Sequence, residues 1–310
     1  MKMKLFEKLF FEGVWECYFR EIQNDSVLEN RIVVNNWRKI MVPRQYWCAD
    51  PFIVSDGNDV YIFCELLDRK ISRGLLGVGK LISGEHVKMC ELSDLGCHAS
   101  YPNIFKQNGK WFMIPETVDR KDIELYEAVE FPFKWEKVSI LLSGVNAVDT
   151  TVFIMNGRVY LFIYEENGFN NNLSIGELNL NEFTLRNVNK AMHYNSKIGR
   201  PGGNVVYING EMIRPTQFGV NHYGEALIFK RFQYNPQNGV YLEDDLFEVH
   251  PSDILPEYIA KKANGLHTYN RMGNYEIIDI HRKAFFVERP FVSLLKKFGI
   301  GGYQYYVRKK

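Results

Sequence analysis

The chain lacks a cysteine framework. Its five cysteines (17, 48, 64, 90 and 97) are odd in number and contain no CxxC pair, so neither a disulfide scaffold nor a zinc ribbon is indicated. Charge of one sign is lacking as well: the net charge is +1, which disfavours a dominant polyanion-binding role. No stretch reaches the length of a transmembrane helix, and charges interrupt every apolar run of the opening "MKMKLFEKLFFEGVW", so no secretory signal is read there. Metal-ligating residues show no short diagnostic spacing, and no metal or cofactor is expected. The one alternative is a metal role for His98 and His267 with Asp50. These absences lead to the expectation of a reducing, cytoplasmic compartment.

Aromatic residues are abundant at 15%, with 22 Phe and 18 Tyr. That fits β-rich structure or a carbohydrate-facing surface, and core packing explains it equally well. With 310 residues, 46% hydrophobic and 24% charged, the chain has the composition of a soluble globular protein able to bury a full core. Two flanks stand apart, the N-terminal segment with Leu5, Phe6, Leu9 and Phe10, and the basic tail "LLKKFGIGGYQYYVRKK". They read either as terminal segments docked on the body or as peripheral contacts with a membrane surface.

A repeat organises the rest. "DPFIVSDGNDVYIFCE" returns in outline as "YPNIFKQNGKWFMIPET", "DTTVFIMNGRVYLFIYE", "RPGGNVVYINGEMIRPTQ" and, more weakly, "LHTYNRMGNYEIIDIHR". The turn glycines Gly57, Gly109, Gly157, Gly210 and Gly273 recur about every 50 residues. Each copy is a short strand, a tight turn with Asn or Asp beside Gly, and a second strand rich in Tyr, Phe, Ile and Val, which is a hairpin signal. Further β-like segments such as "LLGVGKLIS" and "EALIFKRFQY" lie between the copies. Two hairpins per unit, five times over, predict an all-β, five-bladed propeller of four-stranded blades, with a pair of β-sandwiches as the alternative. The blades start near residues 50, 101, 149, 200 and 266 of a single domain spanning 1–310. The lead-in 1–44, with "VWECYFREI" and "NRIVVNNW", is read as completing the last blade and closing the ring, and 291–310 as a basic tail.

In a propeller the first strand of each blade lines the central channel, so blade-start residues gather at one mouth. Here those are Asp50, the His98, Ser100 and Tyr101 group, Asp149, Arg200 and His267. A hairpin's second strand runs back beside the first, which returns Glu65, Glu116, Glu165 and Arg214 to the same mouth. Each member also has a bland reading: Asp50-Pro51 as an ordinary strand start, "PET" as an exposed strand end, the arginines as balance for the acids, the histidines as hydrogen-bonded wall. Their coincidence at one phase of five repeats favours a site.

Such a mouth suits sugar chemistry, which needs a carboxylate base or nucleophile, an acid of raised pKa, and hydrogen bonds to hydroxyls. Crowded carboxylates raise one another's pKa. Arg200 and Arg214 suit a phosphate or carboxylate on the substrate, and Trp47 and Trp111 suit stacking on a sugar ring.

The ordered motifs "ADPF", "HASYP", "PET", "DTTVF", "RPGG" and "RPTQ…YG", between about Trp47 and His267, resemble the N-terminal propeller domain of the glucosamine inositolphosphorylceramide transferase family, including its bacterial members. More distantly, the layout with "DPF" in blade one and "DTTVF" in blade three is similar to arabinanase-type furanosidases. That second resemblance implies Asp50 as general base and Asp149 as the residue that tunes pKa and orients the acid. The furanosidase acid is a Glu at the head of blade four, where this chain has Arg200-Pro201-Gly202-Gly203; Glu116 is the nearest substitute. In plant members of the transferase family a separate transferase domain is attached, which this chain is expected to lack.

The leading expectation is an enzyme that transfers or cleaves a glycosyl group in bacterial surface-glycan synthesis. Asp50, Glu116 and Asp149 would be catalytic, with Trp47, Glu65, His98, Tyr101, Arg200, Arg214 and His267 binding a sugar, nucleotide-sugar or glycan. The alternatives are a non-catalytic glycan or lipid-glycan binding module that serves a partner transferase, and a protein-interaction scaffold. No nucleic-acid partner is expected.

Overall fold

The computed structural model describes residues 9–291 apart from 24, 31, 33, 34, 83–85, 93 and 196. Five antiparallel sheets follow one another around a channel. Blade one contains strands Tyr46–Asp56, Asp59–Asp68, Arg73–Ile82 and His86–Glu91; blade two, Ser100–Gln107, Lys110–Glu116, Asp122–Glu130 and Lys134–Ser143. Blade three contains Ala147–Met155, Arg158–Glu165, Asn171–Asn179 and Thr184–Tyr194. Blade four has an interrupted inner strand, Ile198–Pro201 and Val206–Ile208, followed by Glu211–Phe218, Ala226–Asn235 and Val240–Val249. The fold is the five-bladed β-propeller that the repeat predicts.

Blade five is assembled from both ends of the chain. Its inner strand is Ala263–Gly265 and Tyr269–Met272, its second is Tyr275–Phe285, and its third is the N-terminal Phe11–Glu21, paired along its whole length with the second. Arg38–Lys39 forms the outer edge. Within the expected strand "NRIVVNNW", residues 31, 33 and 34 lie outside the described residues. Pairing a strand from one terminus with a blade from the other leaves no open seam between first and last blades.

Hairpin chemistry explains the regularity. Asn108-Gly109, Asn156-Gly157 and Asn209-Gly210 each have positive φ at both residues, as a type I′ turn requires. One apolar cluster fills each blade interface. Phe52, Phe63 and Val78 meet Tyr101, Ile104 and Met113 between blades one and two, while Cys17, Phe19 and Ile277 meet Cys48, Ile53 and Cys64 where the ring closes. The buried cysteines there pack as small hydrophobes. Burial of each large side chain contributes about 1.5–3 kcal/mol, and these wedges fix the blades around the channel.

Candidate functional site

The inner strands of blades one, two and three each break register at the same phase. The breaks fall between Ala49 and Phe52, Ser100 and Asn103, and Val148 and Thr151. At each break one non-glycine residue is left-handed: Asp50 (φ 49), Tyr101 (φ 44) and Asp149 (φ 48). Such backbone costs on the order of 1–3 kcal/mol per residue and persists where its surroundings over-determine it. Here the surroundings are carboxylates of the preceding blade. The Asp50 N–H donates to Asp279 Oδ2 at 2.9 Å, the Tyr101 N–H to Asp50 Oδ2 at 3.3 Å, and the Asp149 N–H to Glu116 Oε2 at 3.2 Å. Bulge and carboxylate together stitch each blade to its neighbour and aim Asp50 and Asp149 at the channel.

Above this ring lies a cavity of about 350 Å³, lined by Trp15, Trp47, Asp50, Glu65, His98, Asp119, Arg200, Tyr223 and His267 among others. That volume is at the small end of ligand sites, roughly 300–1,000 Å³. Asp50 is 5% exposed, and its Oδ1 accepts from Thr268 Oγ1 at 3.1 Å and faces His267 Nε2 at 3.4 Å. Burial raises its pKa to about 6; His267 pulls the other way, and Asp149 and Asp279 add to the rise. Burial acts to lower the His267 pKa, but Asp279 and Asp50 outweigh it, so the imidazole is held above its ordinary value. The ring stacks on Trp15 with centroids 3.8 Å apart, and Tyr223 meets both edge-on.

Arg200 takes the blade-four position. Its Nε donates to Asp149 Oδ2 and its Nη2 to Glu116 Oε2 at 3.1 Å. Gln217 Nε2 adds a 2.7 Å bond to Asp149 Oδ2. Burial pushes Asp149 up to about 7; Arg200 opposes this, and the neighbouring Glu116 reinforces it. On the opposite wall, His98 Nδ1 accepts from the Gly74 N–H at 3.0 Å, which leaves Nε2 as the protonated nitrogen facing Glu65 Oε1 at 3.4 Å.

The residues singled out in the sequence therefore occupy different layers. Trp47, Asp50, Glu65, His98, Arg200 and His267 line the cavity. Asp149 and Glu116 sit behind Arg200, bound to its guanidinium. Tyr101 lies fully buried below; its hydroxyl accepts from the Gly203 N–H at 2.8 Å and bonds Thr151. Arg214 is elsewhere, inside blade four, where it bonds Glu243, Tyr194, Tyr241 and the Gly199 carbonyl. It points there because residues alternate faces along a strand, and its register places it on the blade-three side. Trp111 belongs to the core between blades one and two and lines a cavity at the other end of the channel.

Four residues escape the repeat logic. Trp15 comes from the N-terminal strand, Asp119 from the turn after blade two's second strand, Tyr223 from a blade-four loop, and Asp279 from the second strand of blade five. Only Trp15 had a signal in the sequence: a lead-in strand that closes the ring must face the last blade's pocket.

Asp50, His267 and Asp279 place one possible ligand atom each within 4.8 Å of one another. As arranged, His267 Nδ1 meets Asp279 Oδ2 at 2.7 Å while Nε2 faces Asp50. Asp279 Oδ1 also takes the N–H groups of His267 and Thr268. The donors are turned toward each other as a hydrogen-bonded chain, and an ion there would have to displace the imidazole.

The model of the family described as "Glucosamine inositolphosphorylceramide transferase 1, N-terminal" matches residues 28–246. Glucosamine inositolphosphorylceramide transferase 1 of Arabidopsis thaliana is 30% identical over 188 residues, covering 58% of this chain and 24% of that protein. The Oryza sativa subsp. indica protein of the same name is 28% identical over 188 residues, with 58% and 25% covered. The chain thus spans about a quarter of the length of the curated relatives it matches. Among solved structures, the RS223 beta-xylosidase superposes with TM-score 0.57 at 11% identity, covering 79% of this chain and 94% of that one. The catalytic domain of the Coprinopsis cinerea GH62 alpha-L-arabinofuranosidase gives TM-score 0.57 at 12% identity, with 89% and 98% covered. These likenesses show the fold. The match over 28–246 shows the family: the chain belongs to the glucosamine inositolphosphorylceramide transferase N-terminal domain family.

Proposed function

We propose that the cavity around Asp50 takes the terminal sugar of a glycan, and that Asp50 is the base that draws the proton from its reacting hydroxyl. The observation that carries this is Asp50 itself, a cavity-lining carboxylate with a pKa raised to about 6, braced by Thr268, His267 and the Tyr101 N–H. Such a group is ionised at neutral pH yet basic enough to accept a proton. Trp15 and Trp47 supply apolar walls for a sugar ring, and Glu65 and Asp119 supply acceptors for hydroxyls.

Arg200 bears on the reaction class. By the furanosidase resemblance it stands where that acid would be, and it binds Asp149 and Glu116, so neither of these two is presented to protonate a leaving alkoxide. Hydrolysis of a glycosidic bond needs that proton. Transfer from an activated donor needs only a base at the acceptor, because a phosphate leaves as a stable anion. The relatives are named as transferases, and we carry over from that name a role in glycan assembly. Arg200 and Arg214 are both committed to carboxylates, so the donor's phosphate is not assigned to them.

The same Arg200 bridge favours a second reading, a glycan-binding module that holds an acceptor for a separate transferase domain. Incubation with nucleotide sugars and oligosaccharides, followed by NMR, separates the two. The proposal expects a transfer product that Asp50→Asn reduces by about 10²–10⁴-fold. Saturable glycan binding without any product supports the module, and turnover unchanged in Asp50→Asn contradicts both assignments of Asp50.

A further inference from the structure

The face that bears the cavity carries several exposed apolar side chains. Phe169 is 70% exposed on the loop between the second and third strands of blade three, and Val220 is 58% exposed on the matching loop of blade four, which also carries the cavity residue Tyr223. On blade five, Phe285, Val287 and Phe291 are 53%, 65% and 66% exposed. These last belong to an extension of the ring-closing pair: Phe11 sits opposite Phe285, four positions from the cavity residue Trp15 and hence about 13 Å farther along the strand. Arg69 fastens the extension to the cavity rim. Its guanidinium lies 3.5 Å from the Phe286 ring centroid and bonds Glu12, and it lies three residues before the lining Ser72.

Both chain ends leave from this extension, and what they carry is basic. Residues 1–8 contain Lys2, Lys4 and Lys8 against Glu7, and residues 292–310 contain Lys296, Lys297, Arg308, Lys309 and Lys310 with no acid. Lys197, near Phe169, adds another cation on the same face. A soluble surface rarely gathers exposed aromatics around one cavity. Apolar tips beside a basic sequence suit an anionic bilayer, where the tips enter the interface and the lysines meet headgroups. Of the acids lining the cavity, Asp50 and Glu65 are buried and face His267 and His98, while Asp119 is exposed at the rim.

We propose that the cavity-bearing face docks on an anionic membrane surface, with Phe169, Val220, Val287 and Phe291 as its inserted tips. The cavity mouth then opens toward the lipid headgroups. The corollary that its glycan is lipid-borne rests on the reading above, whereas the docking surface stands on its own observations.

The test is sedimentation of the full chain with vesicles, without any sugar present. Phosphatidylcholine vesicles containing phosphatidylglycerol should bind the wild type, pure phosphatidylcholine should bind it far less, and high salt should weaken the binding. The double variant Phe169→Asp/Val220→Asp, both sites being exposed loops, should fold normally by circular dichroism and lose about tenfold or more in vesicle affinity. Asp50→Asn should bind vesicles as the wild type does, so a failed sugar assay and a failed docking assay remain separate results. Absence of wild-type binding, or full binding by the double variant, overturns the proposal. So does self-association through these residues without vesicle binding.

Discussion

Blade four holds two arginines within fifteen residues, both buried, and they do opposite things. Arg214 serves one carboxylate: its Nε and Nη2 bond Glu243 Oε2 at 3.0 and 2.6 Å, Nε is shared with the Tyr241 hydroxyl at 3.0 Å, Nη2 also donates to the Tyr194 hydroxyl at 2.6 Å, and Nη1 bonds the Gly199 carbonyl at 3.1 Å. Arg200 is shared by two buried carboxylates, Asp149 and Glu116, with the more exposed Glu166 at 3.8 Å. The electrostatic consequence differs in sign. Burial acts to raise the Glu243 pKa, but Arg214 and Lys230 outweigh it and hold the carboxyl down at about 2. Burial wins at Asp149, which is pushed to about 7 despite Arg200. A saturated pair is structural, whereas one cation spread over two acids leaves a group that titrates near neutrality, as functional sites do.

Removing either arginine should break the comparison most visibly. Arg214→Met leaves Glu243 buried against fewer donors and should cost about 3–5 kcal/mol of stability, read by chemical denaturation. Whatever folds should keep its glycan affinity. Arg200→Gln should cost about 3 kcal/mol at about pH 8 and clearly less at about pH 5, because Asp149, whose pKa is raised to about 7, then takes up a proton. An equal loss at both pH values would show that the two acids do not repel.

Asp50→Asn should reduce turnover by about 10²–10⁴-fold and cost about 1–3 kcal/mol of stability, since Thr268 and the Tyr101 N–H donate to different carboxylate oxygens and the amide keeps only one acceptor. The smallest effects come from pH alone. The folded-state pKa of Asp149, about 7, lies above the unfolded value near 4. Its stabilising contribution is therefore complete below the unfolded value and is lost as pH rises through about 7. Glu243, lowered to about 2, contributes above its unfolded value and loses that contribution as pH falls toward about 2. Denaturation midpoints followed across this range should show both limbs. Turnover should fall as pH drops through about 6, when Asp50 takes up its proton.

The two arginines also show where sequence reading stops. The five-fold repeat of strand, Asn-Gly turn and strand placed every blade, because turn chemistry is local and written in adjacent residues. The same repeat put Asp50, Arg200 and His267 in phase, and they do share one cavity. Grouping Arg214 with them fails, because it lies only four residues past Gly210, whereas Glu65, Glu116 and Glu165 lie seven or eight past their turn glycines. The blade-four residue in that phase is Gln217, which bonds Asp149. Bulges leave no turn-like signature, so the inner-strand phase could be read while the left-handed residues at its breaks could not. Trp15, Asp119 and Asp279 reach the site from a terminus, a turn and a second strand, and their convergence depends on ring closure.

The most direct measurement is saturation-transfer NMR of a glycan panel against the wild type and Asp50→Asn, each first shown to be folded. The account predicts a signal from the wild type for particular glycans and its loss or strong reduction in the variant. A glycan signal that survives intact in Asp50→Asn, or none from the wild type for any glycan, would contradict the placement of the sugar site at this mouth of the channel.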